Sequence, residues 1–154
     1  MAAFYRIVQT RWADSAMNGE GARLWGGRWN SPGLPAVYLA ESRALAALEI
    51  LVHAPREALS LDWSLIEIQV PDDSIQIIPA KNLPADWRDL PSSPNARNTG
   101  DSWLREGKKC ALRLSSTIIP EEHILLINPA HPDTEKWNIS APKAFRFDRR
   151  FIEI

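Results

Sequence analysis

The stretch Gly26-Gly27-Arg28-Trp29-Asn30-Ser31-Pro32-Gly33 limits what this chain can fold into. Neither a helix nor a strand is expected to run through it. Glycine gives up the most backbone freedom on ordering, and proline fixes φ and removes an amide donor. Five of the seven glycines (Gly19, Gly21, Gly26, Gly27 and Gly33) fall here or shortly before. Residues 10–35 hold no sustained apolar periodicity and read as one long loop. A loop of that length inside a compact domain is more often functional than decorative. It carries a cation (Arg28), an amide (Asn30) and an aromatic ring (Trp29) among flexible positions, the composition of a ligand-binding loop.

The elements on either side must therefore close around it. Phe4 to Val8 reads as a strand by its β-branched and aromatic content. Ala36 to Ala40 is a second strand, followed by Ser42 as a helix N-cap. The helix is predicted from Arg43 to His53, before Pro55, with an apolar surface that suits a well-covered element. Further strands are predicted at 63–70, where alternation is clean from Leu65, and at 74–78, 110–114 and 123–127. Residues 79–100, with four prolines, read as mostly irregular. A short helix over 101–106 stops at Gly107, and 145–151 alternates as a last strand. Strands outnumber helices without alternating regularly with them. The expected fold is α+β, one compact domain over residues 1–154 with a mixed, mainly β core.

Bulk properties exclude several roles. Net charge is −1, which gives no global electrostatic reason to expect nucleic acid or an anionic membrane as partner. No apolar run approaches the roughly 20 residues that span a bilayer, and the N-terminus lacks the pattern of a signal peptide, so a cytoplasmic protein is expected. Cys110 is the single cysteine; its apolar flank suits a packing thiol. His53, His123 and His131 lack zinc spacing, so no metal site is expected. The glycines do not fit a dinucleotide fingerprint, and no Walker A, H-E-x-x-H or G-x-S-x-G motif is present.

A few residues stand out chemically. Glu49 lies among Leu48, Ile50, Leu51 and Val52, where a carboxylate either reaches water at a helix edge or needs a partner. Arg28 is either a solvated surface cation or, with neighbouring backbone amides, a phosphate ligand. Ser115-Ser116 ends an apolar strand, where hydroxyls serve a turn or hold a ligand oxygen. His131 stands between two prolines, a rigid presentation that suits a turn or a site.

Taken together, these segments resemble the RES domain. Residues 26–33, then Ala36-Val37-Tyr38-Leu39-Ala40, then 45–53, are similar to its first half. Trp103-Leu104, then 112–120, then Asn128-Pro129-Ala130-His131-Pro132-Asp133, are similar to its second. The likeness runs from about Tyr5 to Phe147. The family is named for an Arg, a Glu and a Ser, which fall here on Arg28, Glu49 and Ser116. Ser115 is the neighbouring alternative, and the distance to Pro120 favours Ser116.

The resemblance implies a fold like that of ADP-ribosyltransferases and the toxin of a bacterial type II toxin–antitoxin pair. Such a toxin consumes NAD+ as substrate, by hydrolysis or with inorganic phosphate as co-substrate, and needs no cofactor. Its partner would be an Xre-type antitoxin that covers the active site, in a homodimer or a larger assembly. Under that reading Arg28, Glu49 and Ser116 are catalytic, and Arg6, Trp29, Asn30, Tyr38 and His131 bind substrate. Modification of a protein target by ADP-ribosylation, or a non-enzymatic nucleotide-binding module, are the alternatives.

Overall fold

The computed structural model describes residues 1–153. An eight-stranded sheet forms its centre, built from β1 (Ala2–Gln9), β2 (Val37–Ala40), β3 (Trp63–Val70), β4 (Ile75–Ile77), β5 (Ala111–Ser115), β6 (His123–Ile127), β7 (Asn138–Ile139) and β8 (Lys143–Phe145). The strand order is β4-β5-β6-β2-β1-β3-β7, with β8 also pairing β3. Among the described residues only β4 and β5 run parallel; all the other pairs are antiparallel. This is the mixed, mainly β, α+β arrangement expected from the sequence.

Side-chain alternation sorts the core into two layers, one on each face of the sheet. Leu126 of β6 packs with Ile7, Leu45, Trp103, Leu112 and Leu114, while its neighbours Leu125 and Ile127 pack with Phe4, Val37, Leu39, Ile68 and Val70. A strand buried on both faces reads as a continuous apolar run, which explains Ile124-Leu125-Leu126-Ile127.

Among the described residues three α-helices flank the sheet: α1 (Glu20–Trp25), α2 (Arg43–His53) and α3 (Pro94–Glu106). α2 has the predicted bounds, and its N-cap is Ser42, whose Oγ accepts the Leu45 amide at 3.0 Å. It is less covered than its composition suggests. Only Leu45 and Ala46 are fully buried and Val52 is exposed, because its other side borders a cleft.

Three expectations are corrected. The loop over 10–35 contains α1 and a 3-10 turn at Thr10–Ser15. The short helix at 101–106 is the end of the longer α3, which starts inside the region read as irregular. Ser93 caps it by accepting the Ala96 amide at 3.0 Å, and Pro94 fits its first turn, where a missing amide costs nothing. The terminal strand is shorter than 145–151. β8 ends at Phe145, because Phe147 turns in to meet Trp63 edge-on at 5.5 Å and Asp148 accepts the Arg150 amide to start a turn.

Candidate active site

A cleft of about 1580 Å³ opens beside β1, β2 and α2. Arg6, Gly27, Arg28, Tyr38, Glu49, Ser115 and Ser116 all border it. The volume exceeds the roughly 300–1,000 Å³ of ordinary small-molecule pockets, room enough for an extended ligand.

The glycine-rich loop is held by its own hydrogen bonds. The Tyr38 hydroxyl donates to Asn30 Oδ1 at 2.6 Å and accepts the Trp29 amide at 3.1 Å. Asn30 Nδ2 faces the carbonyls of Ala22, Leu34 and Ser31 at 2.9, 3.1 and 3.3 Å. Gly27 makes room for this: a Cβ there would lie 2.7 Å from the Tyr38 hydroxyl oxygen. Asn30 is therefore fully buried and its polar atoms are engaged, so it is a structural linchpin and not a rim ligand. Trp29 is also turned inward. Its ring stacks on Trp87 with centroids 6.4 Å apart and is not open to stack on a ligand. The Tyr38 ring borders the cleft while its hydroxyl serves the loop, and burial holds that hydroxyl well above the usual phenol range.

Arg28 projects from this frame. Its Nη1 donates to the carbonyls of Trp87 and Asp89 at 3.0 and 2.8 Å. Burial lowers its pKa, against the upward pull of Glu49, the Asp89 carboxylate and Tyr38. Two carbonyls hold a guanidinium by hydrogen bonds without cancelling its charge, so the cation remains available to an anion.

Glu49 faces the same space from the middle of α2. Burial pushes its carboxyl above the ordinary value, while a hydrogen bond from Ser116 and the charges of His53 and Arg28 pull it down. Among the described residues no arginine or lysine forms an ion pair with it. Ser116 is 1% exposed. Its Oγ donates to Glu49 Oε1 at 3.3 Å and accepts the amides of Ile118 and Ile119 at 3.1 and 3.3 Å. With those partners the hydroxyl is spent on holding Glu49 and shaping the turn after β5. The sequence suggested a contact between this hydroxyl and a substrate oxygen; the partner it meets in the structure is Glu49. Ser115 is buried and pairs with His123 across β5 and β6.

Arg6 borders the cleft from β1. Its Nη1 donates to the Tyr38 carbonyl at 3.0 Å, and its Nε is buried without a partner. Burial pushes its pKa down to about 10, so it is still a cation at neutral pH. A buried N–H left unsatisfied costs on the order of 1–3 kcal/mol, and an anionic ligand would relieve it.

His131 is not part of this site. It lies past the far end of β6, on the opposite side from Ser116. Its Nδ1 lies 3.2 Å from the Cys110 Sγ and accepts the Asp133 amide at 3.1 Å, capping a turn over Pro132–Lys136. The two prolines around it present it to that turn, not to the cleft. Cys110, His131 and Asp133 bring one ligand-type atom each within 4.8 Å, although nothing in their spacing announced it.

Sequence reading missed the contribution of the segment before α3. Trp87 packs on Trp29, Arg88 borders the cleft and donates to the Thr117 carbonyl at 2.9 Å, and Leu90 stands at the rim. The one available signal was a tryptophan and an arginine side by side in polar, irregular sequence.

The RES domain family model matches residues 3–149, and the chain belongs to that family. It is 39% identical to a protein of Sphingobium sp. named Prs ADP-ribosylating toxin, over 97% of this chain and 96% of that one. It is 35% identical to a Toxin Res of Photorhabdus laumondii over the same shares. The crystal structure of the Mycobacterium tuberculosis MbcT-MbcA toxin–antitoxin complex aligns with a TM-score of 0.74, covering 94% of this chain and 84% of that one. Identity there is 20%, so the likeness is one of fold, a mixed α+β domain. A 36-residue segment, 23% of this chain, is 56% identical to part of the NAD(+) phosphorylase MbcT of the same species.

Proposed function

We propose that this protein is the toxin of a toxin–antitoxin pair and that it consumes NAD+ by breaking the bond between nicotinamide and ribose. The observation that carries the reading is Glu49: a partly desolvated carboxylate, fixed by Ser116, without a paired cation among the described residues, in the cleft that Arg28 and Arg6 also face. The names Toxin Res and NAD(+) phosphorylase MbcT among its relatives point the same way.

The chemistry follows from the charges. The C1′–N bond breaks with its electron pair going to the ring nitrogen, so nicotinamide leaves neutral and the ribose becomes oxocarbenium-like. A carboxylate stabilises that cation electrostatically, as in glycoside cleavage. Arg28 and Arg6 bind the pyrophosphate or the attacking oxyanion. A phosphate oxygen or a water then bonds to C1′, and water loses its proton to solvent. Tyr38 contributes the cleft wall. The antitoxin covers the opening, where Trp12, Leu24, Trp25, Val52 and Leu90 form an exposed apolar rim.

Incubation of the purified protein with NAD+, with and without inorganic phosphate, tests this. Nicotinamide released in excess over protein supports the reading, and an ADP-ribose phosphate product identifies phosphorolysis. Absence of turnover in both conditions refutes it. The second reading, transfer of ADP-ribose to a protein, is favoured by the name of the Sphingobium relative. Labelled NAD+ would then leave its label on a macromolecule.

A further inference from the structure

α3 meets the Arg28 loop at two adjacent residues that the chemistry above does not use. Gly100 lies so close to Trp29 that a Cβ would fall 1.7 Å from the Trp29 carbonyl oxygen and 2.6 Å from its carbon. Both are backbone atoms, so no side chain fits unless the loop moves. Next to it Asp101 is 4% exposed. Its Oδ1 accepts the Ser31 amide at 2.7 Å and its Oδ2 accepts the Ser31 hydroxyl at 2.6 Å. Among the described residues it makes no ion pair.

A buried carboxylate without a cation is costly, and here two short charge-assisted hydrogen bonds to one residue compensate it. That residue stands three positions after Arg28. Between them, Trp29 is held by its carbonyl against Gly100 and by its ring against Trp87. On the far side, the Arg28 guanidinium is held by the Trp87 and Asp89 carbonyls. Arg28 is thus bracketed, with its backbone tied to α3 and its tip tied to the segment leading into α3.

We propose that Asp101, seated by Gly100, is a positioning residue: it grips Ser31 so that Arg28 presents its cation to the anionic part of the substrate. This rests on the reading of Arg28 as an NAD+ ligand. Asp101 touches no substrate itself and acts only through the loop.

A double-mutant cycle on NAD+ binding decides the matter. Glu49→Gln serves as a slow background in which equilibrium NAD+ binding can be titrated, with thermal melting of each variant as a control for folding. Asp101→Ala is expected to weaken NAD+ binding about tenfold, and Asp101→Asn, which keeps one acceptor oxygen, to restore most of it. In the Arg28→Ala background Asp101→Ala should change binding little, because the residue it positions is gone. Equal losses with and without Arg28 would overturn the proposal and leave Asp101 a purely structural residue. Unchanged binding in Asp101→Ala would overturn it too. If Arg28→Ala alone binds NAD+ as tightly as its parent, the reading of Arg28 fails and the proposal falls with it, a result separate from the other two. Should Asp101→Ala not fold, Ser31→Ala removes only the hydroxyl arm and enters the same cycle. It is then expected to weaken binding in the same direction, and a loss independent of Arg28 overturns the proposal.

Discussion

Two polar clusters lie near opposite ends of the β5–β6 pair. At the Ser115–His123 end, Glu49 carries a carboxylate with, among the described residues, one side-chain hydrogen bond and no ion pair, facing the cleft that Arg28 and Arg6 also border. At the Ala111–Ile127 end, His131, Cys110, Asp133 and Lys136 satisfy each other. Nδ1 of His131 accepts the Asp133 amide, the thiol lies against that nitrogen, and Lys136 pairs with Asp133 at 2.8 Å. Both clusters contain residue types that do chemistry. They differ in saturation: the second spends its groups on one turn, whereas the first keeps charge in a partly desolvated cleft. Unspent charge that burial makes expensive marks the site, more than the presence of histidine or cysteine does.

Glu49→Gln puts the strongest strain on that contrast. It keeps the shape and removes the charge, and NAD+ loss should fall about 100-fold or more, the usual worth of a preorganised electrostatic stabiliser. A wild-type rate of nicotinamide release would place the carboxylate outside the chemistry. Ser116→Ala is expected to act through Glu49 and to lower the rate about tenfold, the effect of about 1.4 kcal/mol. Its signature is in the pH profile. Under the proposed function the ionised carboxylate is the active form, and the Ser116 hydrogen bond pulls its pKa down. Removing that bond should therefore move the acid limb of kcat to higher pH. A limb that stays in place would show that Ser116 does not tune Glu49.

At the saturated end the expected effect is on stability alone. His131→Ala should leave the rate of NAD+ loss unchanged and cost about 1 kcal/mol in denaturant unfolding, as for a lost cap. A large loss of activity with intact stability would erase the distinction between the two ends. The smallest effect is a pH-dependent one at Glu49. Its carboxyl is raised from the ordinary value of 4.5 when folded. Between those two values the native state holds a proton that the unfolded chain has released, so stability falls as pH rises through that window. Glu49→Gln should then melt slightly higher than wild type at neutral pH, with the gain disappearing below the ordinary carboxylate range. A gain independent of pH would point to packing.

Much of the frame was legible in the chain itself. Ser42 and Pro55 bound α2, alternation placed β3, and a short apolar run placed β6, because caps and side-chain pattern act over a few residues. Residue type at the end of a strand and inside an apolar helix drew attention to Ser116 and Glu49. That they touch was not legible, because 67 positions separate them and only the sheet brings them together. The same holds for Arg28 and the carbonyls of Trp87 and Asp89, and for Ser31 and Asp101, 70 residues on. Sequence could name Asn30, Trp29 and His131 as chemically apt, but which way each turned depended on distant partners. Asn30 and Trp29 went inward because the Tyr38 hydroxyl, Trp87 and Gly100 offered hydrogen bonds, stacking and close approach. His131 went to its own turn because the Asp133 amide needed an acceptor. Local order follows from short-range sterics and hydrogen bonding. The identity of the site follows from which buried groups long-range packing leaves unsatisfied.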